Sequence, residues 1–355
     1  MTFSKRVLIS LFSLLSIFSF AQDRTASDYI SDGELYLARG NCSFAQSVFQ
    51  EALKQEPENI AALLGKGKAL TCLGAWDAGI QEFQKVLGLD QNNVAAHVQL
   101  ALAYQEQYVS DPNSYPGRLQ DALAILQNAE ALDPNNPEVL NSKGVVLFRQ
   151  NDLAGARDAL ERAVALANNS ELTDRAKSVM HINLGKTYRD LNEMDLALQS
   201  FRRAVMLNPS SGSAHNNVGN AYYKLGDCNN AVYELTQAVN LNTGSLDALS
   251  NLGIAMFECG EVANSVSYFE QALNIPGSLN LPPLYTYLAR AYIQQGRFDE
   301  AVQRAQQGAL LPPVTAEAFY YLGQAYESRN GSGDLQRAKE AYQSALELDA
   351  NYQAA

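Results

Sequence analysis

The sequence predicts an all-α chain, a solenoid of about nine helix-turn-helix hairpins, and three observations predict it. Stretches of the chain repeat at a fixed period. Each repeat carries apolar residues at helical spacings of three and four. The breaks hold Gly, Asn, Asp and Pro, which end one helix and cap the next. The period is plainest in "HINLGKTYRDLNEMDLALQSFRRAVMLNP" from His181, "HNNVGNAYYKLGDCNNAVYELTQAVNLNT" from His215 and "LSNLGIAMFECGEVANSVSYFEQALNIPG" from Leu249, each 34 residues after the last. Asn183, Asn217 and Asn251 fall in register, as do Gly185, Gly219 and Gly253, and Ala204, Ala238 and Ala272.

Taken in order, the hairpins begin near Ala26, Ile60, Val94, Pro137, Ser178, Gly212, Leu246, Pro282 and Ala316. Residues 26–170 hold hairpins 1 to 4, residues 171–177 form a spacer, and residues 178–352 hold hairpins 5 to 9. Gly at the eighth position and Ala at the twentieth and twenty-seventh let two helices approach closely. Tyr188, Phe201, Tyr222 and Phe269 fill the remaining space. Hairpin 3 departs from the pattern: Ala101 replaces the Gly, and "YVSDPNSYPGRLQ" inserts about nine extra residues between its helices. Hairpin 8 has Ala289 at the Gly position, and hairpin 9 a longer "RNGSGD" turn. In "DLQRAKEAYQSALELD" Ala338, Tyr342 and Ala345 share one stripe while charged and polar residues cover the other faces, so this helix can close a stack.

The opening segment is different. "MTFSKRVLISLFSLLSIFSFA" carries Lys5 and Arg6, then an apolar run from Val7 to Phe20, then Ser19 and Ala21 at cleavage-site spacing. Residues 1–21 are expected to be a secretory signal peptide, since the run is short for a spanning helix. The mature chain is expected to be periplasmic or secreted, with no integral membrane span. The whole sequence has a net charge of −12 and no basic run, which argues against nucleic acid as a partner.

This pattern resembles the tetratricopeptide repeat family, over nearly all of the chain beyond residue 21. The late Pro of the family pattern appears as Pro57, Pro134, Pro209 and Pro313. The resemblance implies a right-handed superhelix whose first helices line a groove and whose members bind proteins or peptides.

His97, His181 and His215 all sit at the fourth position of a hairpin, where the family usually has a bulky aromatic. Equivalent positions run along a solenoid instead of converging, so packing is expected, with no metal or cofactor site. Cys42 and Cys228 start second helices, and Cys72 and Cys259 lie near the ends of the next hairpins' first helices, 30 and 31 residues on. Antiparallel neighbours bring those places to one edge. Bridges Cys42–Cys72 and Cys228–Cys259 are expected in an exported chain, the alternative being four buried thiols.

The family's groove positions give a polarised lining. Hairpins 1 to 3 offer a mixed set: Ile30, Glu34, Lys68, Val98, Gln99 and Glu106. Farther on come the amides Asn141, Asn183, Asn216, Asn217, Asn220 and Asn251, the cations Lys186, Arg189, Lys224 and Arg290, and the rings Tyr223, Tyr287, Tyr320 and Tyr321. The sixth-position Asn183, Asn217 and Asn251 resemble the Asn ladder of the O-GlcNAc transferase repeat superhelix, whose amides would pair with a peptide backbone. Lys186, Arg189 and Lys224 would favour an acidic segment or a C-terminal carboxylate.

The expected function is an exported scaffold that binds an extended peptide or partner segment, with secretion, envelope or pilus assembly as settings. A structural spacer or oligomer subunit is the alternative. No enzyme is expected: no catalytic residues can be nominated, for GxSxG, HExxH and P-loop motifs are absent, and the hairpins take up nearly all of the chain.

Overall fold

The protein is described by a computed structural model over residues 24–275 and 281–352. The expected signal peptide at residues 1–21 lies outside the described residues. Those residues form eighteen α-helices and no strand. The chain divides into two compact units, Met1–Ser170 and Glu171–Ala355.

The N-terminal unit contains α1 (Ala26–Ala38), α2 (Cys42–Gln55), α3 (Ile60–Cys72), α4 (Trp76–Leu89), α5 (Val94–Ser110), α6 (Arg118–Leu132), α7 (Pro137–Arg149) and α8 (Leu153–Ala167). The C-terminal unit contains α9 (Asp174–Asp190), α10 (Met194–Leu207), α11 (Gly212–Lys224), α12 (Cys228–Leu241), α13 (Leu246–Glu258), α14 (Val262–Leu273), α15 (Pro282–Gln294), α16 (Phe298–Ala309), α17 (Ala316–Arg329) and α18 (Asp334–Leu348). Within each unit, each helix packs on its neighbours in sequence, as a stack of hairpins requires.

Local chemistry sets these boundaries. The side chains of Thr25, Asn59, Asn93, Asn136, Thr173, Ser211, Ser245 and Thr315 each accept a backbone N–H at the start of a hairpin's first helix. The exception is α15, which opens on Pro282, whose missing N–H leaves one fewer donor to satisfy. The turn inside each hairpin needs a left-handed residue, supplied by Gly40, Gly74, Gly226, Gly260 and Gly296, and by Asn151, Asn192 and Asn330. Hairpin 3 alone lacks it. There the extra residues lengthen α5 to 17 residues and form the loop before Arg118.

One expectation is corrected. The spacer at residues 171–177 is shorter, because α9 begins at Asp174. Thr173 caps it by accepting the Ala176 N–H, and Asp174 suits the positive first turn, so about one more helical turn precedes Ser178.

Small residues let the two helices of a hairpin close on each other, and the buried core runs on across successive hairpins. A Cβ added to Gly185 would lie 2.5 Å from a Phe201 ring carbon, and one added to Gly253 would lie 2.6 Å from Phe269. The eighth residue must therefore be small where the facing residue is a ring. Hairpins 3 and 8 have Ala at this position. Ala101 shares a cluster with Leu126, and Ala289 shares one with Ala305, all four buried.

At the last turn Asp334, 1% exposed, accepts bonds from Arg329 Nε and Nη2, both at 2.7 Å, and from the Gly331 N–H at 2.9 Å. Arg329 holds this carboxyl well below the usual range. The longer "RNGSGD" turn is thus an ion-paired closure.

The histidines serve packing. His97 Nδ1 donates to the Asn93 carbonyl at 3.0 Å, and His215 lies 2.6 Å from Glu234 Oε2 and 3.1 Å from the Pro209 carbonyl oxygen. His181 Nδ1 is buried without a hydrogen-bond partner. Burial, aided by the nearby Arg203, pushes His181 down to about 4. The unfolded chain then binds a proton near pH 6.5 that the folded chain refuses. Stability is lost as pH falls from about 6.5 towards 4 and levels off below. His181→Phe should remove that slope. The wild type should lose on the order of 1–2 kcal/mol more than the variant between pH 7 and 4.5, allowing for partial exposure of the ring. Urea titrations of both proteins at the two pH values measure it; parallel losses refute it.

Candidate functional site

The C-terminal unit holds a pocket of about 330 Å³ lined by residues of five helices. From α9 comes Arg189, from α10 Met194 and Phe201, and from α11 Asn217, Asn220, Ala221, Tyr223 and Lys224. Asn251 and Ile254 come from α13, and Tyr287 from α15. The sixth, ninth, twelfth and thirteenth positions of a first helix share one face, which is why successive first helices deliver polar groups to one place.

The structure brings together seven of the groove residues named from sequence: Arg189, Asn217, Asn220, Tyr223, Lys224, Asn251 and Tyr287. It does not bring Asn183, Lys186, Asn216 or Arg290 into the lining. The expected three-rung ladder is therefore represented in the pocket by Asn217 and Asn251. Even these are engaged internally. Asn217, 8% exposed, donates to the Ser213 carbonyl at 2.8 Å, and Asn251 donates to Asn216 Oδ1 at 3.0 Å. Each amide has a second N–H and an acceptor oxygen, so the pairing orients the group without exhausting it.

Arg189 and Lys224 are exposed at the ends of their helices. Arg189 Nε donates to Asp190 at 2.7 Å, and the Lys224 ammonium lies 5.8 Å from the Tyr223 ring centre. Burial raises the Tyr223 and Tyr287 hydroxyls above the ordinary range, and the Glu258 carboxylate adds to the effect. Both phenols stay protonated at neutral pH and can donate.

Arg290 has a different place from the one expected. Its Nη1 bonds Glu258 Oε1 at 3.1 Å, and its guanidinium carbon lies 4.7 Å from the Phe257 ring centre, 4.8 Å from Tyr287 and 5.0 Å from Tyr321. It braces the pocket's aromatic wall. Of the apolar floor formed by Met194, Phe201, Ala221 and Ile254, the sequence points only to Phe201, and to that as a packing ring. Ile254 and Glu258 stand at the ninth and thirteenth positions of hairpin 7, so the signal for both was there.

Both bridges are present. Cys42 is joined to Cys72 and Cys228 to Cys259, with Cα atoms 6.0 and 5.9 Å apart. The N-terminal unit has a second pocket of about 430 Å³, where buried Glu82 pairs with Lys66 at 2.9 Å and Lys85 at 3.1 Å. Among the described residues no cluster of His, Cys, Asp and Glu is placed to hold a metal ion, and no helix is long and apolar enough to cross a membrane.

A tetratricopeptide repeat profile matches residues 32–94, 115–171 and 288–355, more than half of the chain. Further profiles, a TPR repeat and a tetratricopeptide repeat, match residues 185–226 and 245–275. The chain belongs to the tetratricopeptide repeat family. Among curated relatives, the anaphase-promoting complex subunit CDC16 of Saccharomyces cerevisiae is 26% identical over 180 residues, covering 50% of this chain and 20% of that protein. The peroxisomal targeting signal receptor of Eremothecium gossypii is 22% identical over 192 residues, covering 47% of this chain and 32% of that protein. The chain thus spans a third or less of the length of these two relatives.

Two solved structures share the fold. The Cut9–Hcn1 hetero-tetramer of the APC/C gives a TM-score of 0.59 at 15% identity, covering 97% of this chain and 79% of that one. PilF of Pseudomonas aeruginosa gives 0.55 at 17%, covering 68% and 99%.

Proposed function

We propose that this chain is an exported scaffold that mediates protein–protein interaction by holding an extended acidic segment of a partner in the pocket of its C-terminal unit. The carrying observation is the pocket itself. Two exposed cations, Arg189 and Lys224, stand beside amides and phenols over an apolar floor, in a chain whose net charge is −12. A local positive rim on an acidic protein selects for carboxylates, on side chains or at a C-terminus. The amides suit a peptide backbone, and the Met194–Phe201–Ile254 floor suits an apolar side chain next to the carboxylate. Relatives named as subunits of a complex and as a targeting-signal receptor support a scaffold reading. Export rests on the character of residues 1–21, and secretion, envelope or pilus assembly are the settings that fit it.

The test is binding of a fluorescein-labelled synthetic peptide of alternating Asp and Leu, against the same peptide with Lys for Asp. The acidic peptide should bind, more tightly at low salt. Lys224→Glu should weaken it about tenfold, with the protein's thermal midpoint little changed. Equal binding of both peptides, or no effect of Lys224→Glu, overturns the acidic-ligand reading. A mature chain that retains residues 1–21 after expression in an exporting host overturns the export reading.

A further inference from the structure

The pocket's aromatic wall is connected to a disulfide. Cys259 is the C-cap of α13, and its partner Cys228 is the first residue of α12. Both sides of that bond adjoin the site. On one side, the turn Leu225–Asp227 separates Cys228 from Lys224, which lines the pocket. On the other, Glu258 immediately precedes Cys259 and holds Arg290 at 3.1 Å. Arg290 is stacked against Tyr287, a lining residue, as well as against Phe257 and Tyr321. Tyr287 is otherwise positioned by ring contacts with Phe257 and Phe269, each with centroids 5.9 Å apart. A helix end is the part of a helix that opens most readily, and here the cross-link pins the end that carries Glu258.

We infer that the Cys228–Cys259 bridge, through Glu258 and Arg290 as positioning residues, fixes the Tyr287 wall and makes the pocket's affinity depend on the thiol–disulfide state. The ligand half of this statement rests on the peptide-binding reading above. A dithiol reductant delivers two electrons and two protons to the Cys228–Cys259 bond. The bond opens to two thiols while the reductant closes to its own cyclic disulfide. The last turn of α13 then loses its tether, Glu258 no longer holds one place, and Arg290 is free to leave the rings. A preorganised wall becomes one that the ligand must order, which costs affinity.

The same kind of bond joins Cys42 to Cys72 in the N-terminal unit, where it touches none of these residues. The double variant Cys42→Ser/Cys72→Ser therefore leaves a single bridge to reduce. In that background the fluorescein-labelled Asp–Leu peptide should bind about fivefold more weakly after dithiothreitol treatment. Arg290→Ala should weaken binding by a similar factor, and reduction should then add less than about twofold, because both act on one chain of contacts. Arg290→Lys keeps the charge but not the planar stack, and should behave like Arg290→Ala. Unchanged affinity on reduction overturns the proposal. So do effects of reduction and Arg290→Ala that multiply in full.

Hydrogen exchange supplies a readout independent of the peptide. Reduction should raise exchange at residues 254–258 and 287–292. If the peptide binds neither form but exchange rises there, the positioning chain stands and the acidic-peptide reading falls. If exchange there is unchanged, the positioning chain falls whatever the peptide does.

Discussion

Phe269→Ala is expected to destabilise the C-terminal unit by about 3–5 kcal/mol, the range for removing a fully buried ring. Phe269 is 0% exposed and fills the space left by the missing Cβ of Gly253. Its loss removes the transfer free energy of the ring and leaves a cavity between two backbones that glycine has allowed to come close. No neighbouring side chain can relax into that space without opening the hairpin. The ring also packs beside Tyr287, so the pocket wall should loosen with it. In a repeat array the damage is felt first by the hairpins in contact. Urea unfolding followed by circular dichroism, with hydrogen exchange over hairpins 6 to 8, gives the size and the location. A loss below about 1 kcal/mol would contradict the packing described, since even Ile→Val trimming in a core reaches that value.

Cys228→Ser/Cys259→Ser is expected to cost about 3–4 kcal/mol in the chain-entropy account of a cross-link closing a loop of this length. The bond spans 31 residues and joins hairpin 6 to hairpin 7. Its effect is largest on partial unfolding, because it forbids separation of two hairpins that otherwise hold each other by packing and by weaker contacts such as the Asn251–Asn216 hydrogen bond. Unfolding of the oxidised protein should therefore be more cooperative than that of the variant, with a steeper transition in urea. Reduction of the wild type should reproduce the variant's curve once the Cys42–Cys72 bond has been removed from both. A variant as stable as the oxidised parent would show that packing alone fixes the hairpin interface.

The fold was legible because its rules are local and repeat. An eighth-position Gly, an Asn, Ser or Thr before the first helix and a Gly in the turn can each be checked nine times in one sequence. The spacer was misjudged because a single cap, Thr173, outweighed the repeat register and started α9 early. The pocket was only partly legible. The positions facing it follow from helix geometry, but whether Asn183 lines it or stops short depends on how successive hairpins are displaced, which no periodicity encodes. Arg290 shows the second limit. A cation at a groove position reads as a ligand contact, whereas three rings and Glu258 use it as a brace. Such a role depends on partners drawn from three hairpins.

In hairpins 5 and 7 the fit of ring on glycine lies within the hairpin, whereas each disulfide spans two. Either of these hairpins lifted out and inserted elsewhere would bring that closure with it. The hairpins that carry Cys42, Cys72, Cys228 or Cys259 would also bring an unmatched half of a bond. Those two junctions are thus places where shuffling of modules, by evolution or by an engineer, carries an added penalty.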